Sequence, residues 1–171
     1  MSKEKISSPI YIIILLILAG EAVFILPFVI VRIFRTTFLE SLIISQTELG
    51  SCFSVYGLVA LFSYLVGGPL ADKFRPHLLM STALMLTGLG GFYLATYPTL
   101  GSLRILYGFW GFTTIFLFWA AIIKATRIWG GTTKQGIAFG FLDGGRGLVA
   151  AIFGSIGVLV FSSFLTNDIE F

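Results

Sequence analysis

The chain is poor in charge, in histidine and in cysteine. Asp, Glu, Lys and Arg make up 11% of its 171 residues, where an ordinary soluble domain carries about 25%. The single histidine, His77, leaves no His/Cys/carboxylate cluster with metal-ligand spacing, so neither a metal nor a cofactor is expected. The single cysteine, Cys52, has no partner for an intramolecular disulfide and reads as a small buried residue. No paired carboxylates and no Ser/His arrangement converge on a common site, which makes a membrane enzyme a poor third reading. The net charge of +3 is spread over loops between apolar runs, so nucleic acid is not an expected partner.

What is present is apolar. Hydrophobic residues make up 57% of the chain, with 18 Phe and 20 Gly, and the mean hydropathy is +0.99. This composition suits helices packed in a lipid bilayer. Lys3 and Lys5 precede an apolar run in which Ala19-Gly20-Glu21 could pass for a cleavage region. The run resumes at Ala22 and continues to Val31, too long for a signal core of about 7–15 residues. It reads as an uncleaved helix.

Five apolar helices are predicted, at about 9–33, 49–67, 78–97, 102–123 and 136–164. About 20 residues cover the ~30 Å hydrocarbon core, so each is long enough to span. Residues 34–48 are expected to be irregular and partly interfacial, 124–135 to form a loop, and 166–171 a polar tail. With the N-terminus inside, the inner segments hold Lys3, Lys5, Lys73, Arg75, Lys124, Arg127 and Lys134, and the outer ones Arg32, Arg35 and Arg104. Seven against three favours a cytoplasmic N-terminus. Tyr11, Tyr97, Tyr107 and Trp129 fall near the expected interfaces.

Between the second and third runs lies a charged island, Gly67-Gly68-Pro69-Leu70-Ala71-Asp72-Lys73-Phe74-Arg75-Pro76-His77. Gly68-Pro69 is expected to end the second helix, and Pro76 to allow a fresh start after Arg75. The island resembles the signature of the major facilitator superfamily between its second and third helices. Gly68, Leu70, Ala71, Asp72 and Lys73 match that pattern, while Arg75 stands where the family has Gly and Pro76 where it has a basic residue. Arg75-Pro76-His77 is similar to the organophosphate and sugar-phosphate branch. Arg104, Gly108 and Gly111 resemble the fourth-helix pattern of an Arg followed by spaced glycines. Trp129 through Gly140 resembles the entry to the fifth helix, with Gln135 where an Arg is common.

The resemblance implies an all-α integral membrane protein, part of a fold built from two six-helix halves of inverted three-helix repeats. The chain matches helices one to five. It is therefore expected to be a partial N-terminal transmembrane domain, residues 1–171, lacking the sixth helix and the second half. The implied function is secondary transport of a small polar solute by alternating access, for instance an organic anion such as a sugar phosphate or carboxylate. The implied partners are the lipid bilayer, the solute and the missing second half, and the implied location is a bacterial plasma membrane. On this resemblance Asp72 caps a helix of the other half and holds one conformation. The rival reading is a non-transporting membrane interaction protein.

Four intramembrane charges are candidates for the solute or its coupling ion. Glu21 is alone in an apolar helix and is either a proton-coupling or substrate-contacting carboxylate or a structural acid. Asp143 and Arg146 lie three apart on one face of the fifth helix and can pair. They are either a self-neutralised pair or a cavity cation with its keeper, and the resemblance places Arg146 near a substrate-contacting cation. Arg32 closes the first helix, where the phosphate branch has an Arg that contacts phosphate. Lys124 and Arg127 read as positive-inside or snorkelling residues. Gly136, Gly140 and Gly144, nearly continued by Gly147, Ala151 and Gly154, form a small-residue stripe that reads as helix packing; the resemblance implies that this helix packs against the second half.

Overall fold

The computed structural model describes residues 9–167, and the side chains of residues 9–164. Six helices and no strand are found within them: α1 (Ile10–Ile33), α2 (Arg35–Leu42), α3 (Gln46–Lys73), α4 (Pro76–Leu94), α5 (Leu100–Gly130) and α6 (Gln135–Asn167). All but α2 are long and apolar enough to cross a membrane, with mean hydropathies from 1.3 for α4 to 2.8 for α1. The 24 residues of α1 rise about 36 Å, more than the ~30 Å hydrocarbon core. The chain is an all-α integral membrane protein, with five transmembrane helices among the described residues. Lys3 and Lys5 lie outside the described residues, as does the C-terminal tail beyond Asn167.

Several boundaries differ from those read in the sequence, each for a local reason. Residues 34–48 are not irregular. They form α2, which ends on Ile43 in the left-handed conformation (φ 53°), and the start of α3. Ser45 opens α3 through a capping box: its hydroxyl accepts from the Glu48 N–H, and Glu48 accepts from the Ser45 N–H at 2.7 Å. The Ser-x-x-Glu spacing is the signal for this start, and reading residues 34–48 as irregular missed it. The predicted loop at 124–135 shrinks to residues 131–134, because α5 runs on to Gly130.

Gly68-Pro69 does not end the second membrane helix either. Proline lacks an N–H, but membrane helices tolerate it inside a span, and α3 continues through Pro69 to Lys73. What stops it is a side chain from elsewhere. The Lys124 ammonium of α5 donates to the carbonyls of Ala71 (2.7 Å), Asp72 (3.1 Å) and Phe74 (3.4 Å). A cation on the last carbonyls of a helix satisfies orphan acceptors and the negative end of its dipole. Lys124 is thus the cap of α3, a role that snorkelling did not anticipate. Arg75 then precedes α4, with Pro76 at its first turn.

Lipid tails are as apolar as leucine, so burial alone does not hold the bundle together; close packing and interhelical hydrogen bonds do. Glycines stand where α5 meets its neighbours. A Cβ on Gly111 would lie 2.7 Å from the Tyr56 carbonyl oxygen of α3, and one on Gly90 of α4 would lie 2.5 Å from the Trp110 indole nitrogen. Trp110 is fully buried and donates to the Thr87 carbonyl at 3.1 Å. Tyr56 and Thr114 share a hydrogen bond of 2.7 Å, Thr87 and Thr113 one of 2.8 Å, tying α3 and α4 to α5. Tyr107, expected near an interface, is instead fully buried and donates to the Pro27 carbonyl of α1. Cys52 is buried, as the sequence implied.

A Cβ at Gly136, Gly140 or Gly144 would meet nothing within 4 Å among the described residues. Gly145, Gly154, which continues that stripe, and Gly157 lie against Ile17, Ile33 and Phe34 of the α1 side.

The backbone contact at Gly111 sets a test of this packing. Gly111→Ala is expected to destabilise the bundle by about 1–3 kcal/mol, since neither Tyr56 nor α5 backbone can move freely. Gly88→Ala, where an added Cβ meets nothing within 4 Å, should change stability by less than about 0.5 kcal/mol. Denaturation of both variants in detergent measures the difference, and equal stability would contradict the close approach.

Candidate functional site

The site begins where α1 crosses α6. Gly20 and Gly145 carry no side chain at this crossing, and a Cβ on Gly145 would come within 2.5 Å of Ile17. The stem of Arg146 occupies the space beside Gly20, where a Cβ would lie 2.9 Å from the Arg146 Cδ. This lets the Arg146 Nε donate to the Gly20 carbonyl oxygen at 3.1 Å. A carbonyl has two lone pairs, so it can accept from a side chain beside its helical bond.

Arg146 is then surrounded. Its Nε lies 3.5 Å from the Glu21 Oε2, and its Nη1 lies 3.9 Å from the Asp143 Oδ1. Its Cζ sits 5.3 Å from the Phe24 ring centroid and 5.4 Å from that of Trp119, within the range of cation–π attraction. These two rings meet edge to face with centroids 6.0 Å apart, forming a corner for the guanidinium. The Glu21 side chain is 9% exposed and that of Arg146 19%, whereas that of Asp143 is 70% exposed. Glu21, on another helix, is therefore the nearer and more deeply buried partner of Arg146. The local pair at i, i+3 anticipated from the sequence is the looser of the two.

Both π stretches border the same space. Ile25–Val29 of α1 supplies Phe28 and Val29, and Phe112–Trp119 of α5 supplies Ile115 and Trp119. A π turn adds a residue to the helical repeat and re-aims the side chains that follow, and such turns are frequent at functional sites. The space is a cavity of about 480 Å³, and Glu21, Arg32, Asp143 and Arg146 all line it. The four charges picked out from the sequence are thus brought together. Arg32 is exposed, and among the described residues it makes no hydrogen bond or ion pair. Tyr64 of α3 closes another side of the cavity. Tyr64, Trp119 and Phe28 carried no signal in the sequence. Phe24 had one, three residues after Glu21 on the same helical face.

The other predicted groups lie elsewhere. Gly68, Leu70, Asp72, Lys73 and Arg75 gather at the α3–α4 turn and do not line this cavity. There the backbone carbonyl of Asp72 is held by Lys124, while its carboxylate makes no ion pair among the described residues. Arg104, Gly108 and Gly111 face α3: Arg104 donates to Ser51 at 2.8 Å, and Gly108 lies against Val55. A larger cavity of about 650 Å³, near Phe34, Phe38 and Phe161, is lined by no Asp, Glu, Lys, Arg or His.

The chain is 34% identical over 124 residues to the inner membrane protein YqcE of Escherichia coli (strain K12), a match covering 72% of this chain and 29% of that protein. It is 29% identical over 121 residues to the inner membrane protein YihN of the same organism, covering 71% and 29%. It is 28% identical over 120 residues to the "Uncharacterized protein MG294 homolog" of Mycoplasma pneumoniae, covering 64% and 25%. The chain spans less than a third of the length of these curated relatives. No protein-family model matches it. No solved structure matches it either.

The two-helix ion pair makes a prediction about stability. Arg146→Met leaves Glu21 buried without its nearest cation and is expected to cost about 3 kcal/mol. Adding Glu21→Gln removes the stranded charge and should recover more than half of that loss. A double-mutant cycle from unfolding in detergent measures the coupling, and strictly additive effects would mean that the two groups do not act as a pair.

Proposed function

We propose that the chain forms part of a secondary transporter of the major facilitator type, carrying a small polar solute across a bacterial plasma membrane by alternating access. One observation carries this reading: four charged side chains from two membrane-spanning helices line a single cavity. Charged groups within spans face protein or water, not lipid, and mark solute and ion pathways. The cavity lies between α1, α3, α5 and α6, and α1 and α5 are the helices that correspond in the two inverted repeats of such a fold. In this reading Arg32 and Arg146 attract an oxyanion, Glu21 is the candidate titrating group and Asp72 acts in switching. The remaining wall of the cavity belongs to a second half of the transporter. The N-terminus is cytoplasmic, from the excess of basic residues on that side.

The rival reading, a membrane protein that binds partners without transport, draws on the Gly136, Gly140 and Gly144 face of α6, which meets no neighbour among the described residues. Water in the cavity separates the two. In a Cys52→Ala background, Gly147→Cys places a thiol on the cavity wall, and it should react with a membrane-impermeant thiol reagent. Met85→Cys, on an exposed apolar position of α4, should not. On intact cells the same reagent should reach Thr96→Cys, in the α4–α5 turn, and spare Thr132→Cys, in the α5–α6 turn. An unreactive Gly147→Cys would remove the water-filled cavity and the transport reading with it. A reversed pattern at Thr96 and Thr132 would reverse the topology alone.

A further inference from the structure

We infer that the solute of this cavity is zwitterionic, carrying an oxyanion that meets Arg32 and an amine that meets Asp143. The inference deepens the transport reading and rests on it. It follows from asking which of the four charges are least engaged by the others. Arg146 is the most engaged: its Nε faces Glu21 and the Gly20 carbonyl, its Nη1 faces Asp143, and Phe24 and Trp119 flank its carbon. Glu21 is likewise engaged, being buried against Arg146. The two most exposed groups are of opposite sign. Arg32 makes no hydrogen bond or ion pair among the described residues, though its charge acts through space on Glu21, and Asp143 is 70% exposed with its one ion pair at 3.9 Å.

The charges that this chain contributes point the same way. When all are ionised, two arginines and two carboxylates sum to zero. A solute with one charge of each sign meets both exposed groups without changing that sum. Geometry adds a separation. Glu21 and Arg32 are eleven residues apart on α1, a rise of about 16 Å that the reach of the side chains shortens. Asp143 is held near the Glu21 level by their shared contact with Arg146. A solute whose amine and oxyanion are separated by several bonds, as in an ω-amino acid or an aminoalkyl phosphate, suits that spacing.

Matched probes test this on the intact 171-residue chain in lipid nanodiscs. The pairs are 4-aminobutyrate with butyrate, and aminoethyl phosphate with ethyl phosphate, followed by calorimetry or by quenching of Trp119, which lines the cavity. In at least one pair the zwitterion is expected to bind about tenfold more tightly than its amine-free partner, the size of one added charge contact. Asp143→Asn should bring the zwitterion down to the level of the anion, Asp143→Glu should keep the preference, and Arg32→Gln should weaken both members of the pair. Equal binding within both pairs would overturn the zwitterion and leave an anion site standing. A preference that survives Asp143→Asn would overturn the role given to Asp143. Failure of every probe, on a chain whose Gly147→Cys is reached from water, would overturn the zwitterion and leave the transport reading to the water-access test.

Discussion

A guanidinium at membrane depth must be compensated on every side, and the way Arg146 is compensated shapes this end of the bundle. An uncompensated charge near the bilayer centre costs roughly 2.5–3.5 kcal/mol on insertion scales. Here the compensation comes from another helix: the Glu21 carboxylate, the Gly20 carbonyl and the Phe24 ring all belong to α1. They are within reach because Gly20 and Gly145 let α1 and α6 approach closely. That approach brings Asp143 and Arg32 to the same cavity. Packing and chemistry at this crossing are therefore one constraint, and a side chain added at Gly20 would disturb both.

The π stretches of α1 and α5 show a second coupling between fold and cavity. Pro27 lies within the first, and Thr113 and Thr114 open the second, both returning hydrogen bonds to the Trp110 carbonyl. Such back-bonding by hydroxyls competes with the regular helical ladder. The same two threonines then tie α5 to α3 and α4 through Tyr56 and Thr87. Irregular helix is thus supported by neighbouring hydroxyls, and its side chains line the cavity.

Much of this was legible in the residues. Five long apolar runs produced five spans, because about 20 apolar residues cannot be left in water and suffice to cross a bilayer. The four charges inside those runs, Glu21, Arg32, Asp143 and Arg146, proved to share a cavity, since membrane-embedded charges must turn away from lipid. Other features were not legible. Gly68-Pro69 reads as a stop, yet α3 runs through it to a cap supplied by Lys124, fifty-three residues from Ala71. The close approach of α6 to α1 at Gly145 is not marked by the stripe of Gly136, Gly140 and Gly144. Tyr107 looks like an interfacial aromatic, yet it lies in the core.

The difference lies in the range of the interactions. What the sequence by itself determined was set by solvation and local geometry: which segments enter the membrane, how many there are and which charges must avoid lipid. Each of these depends on a residue and its near neighbours along the chain. Only the tertiary structure decided the pairings. It made Glu21, not Asp143, the nearer partner of Arg146, turned Lys124 into a helix cap, set Trp119 against a guanidinium and left Arg32 and Asp143 the most exposed of the four charges. Those choices depend on how helices far apart in sequence pack and rotate against one another, and helical spacing along one segment carries no record of the face another segment will present.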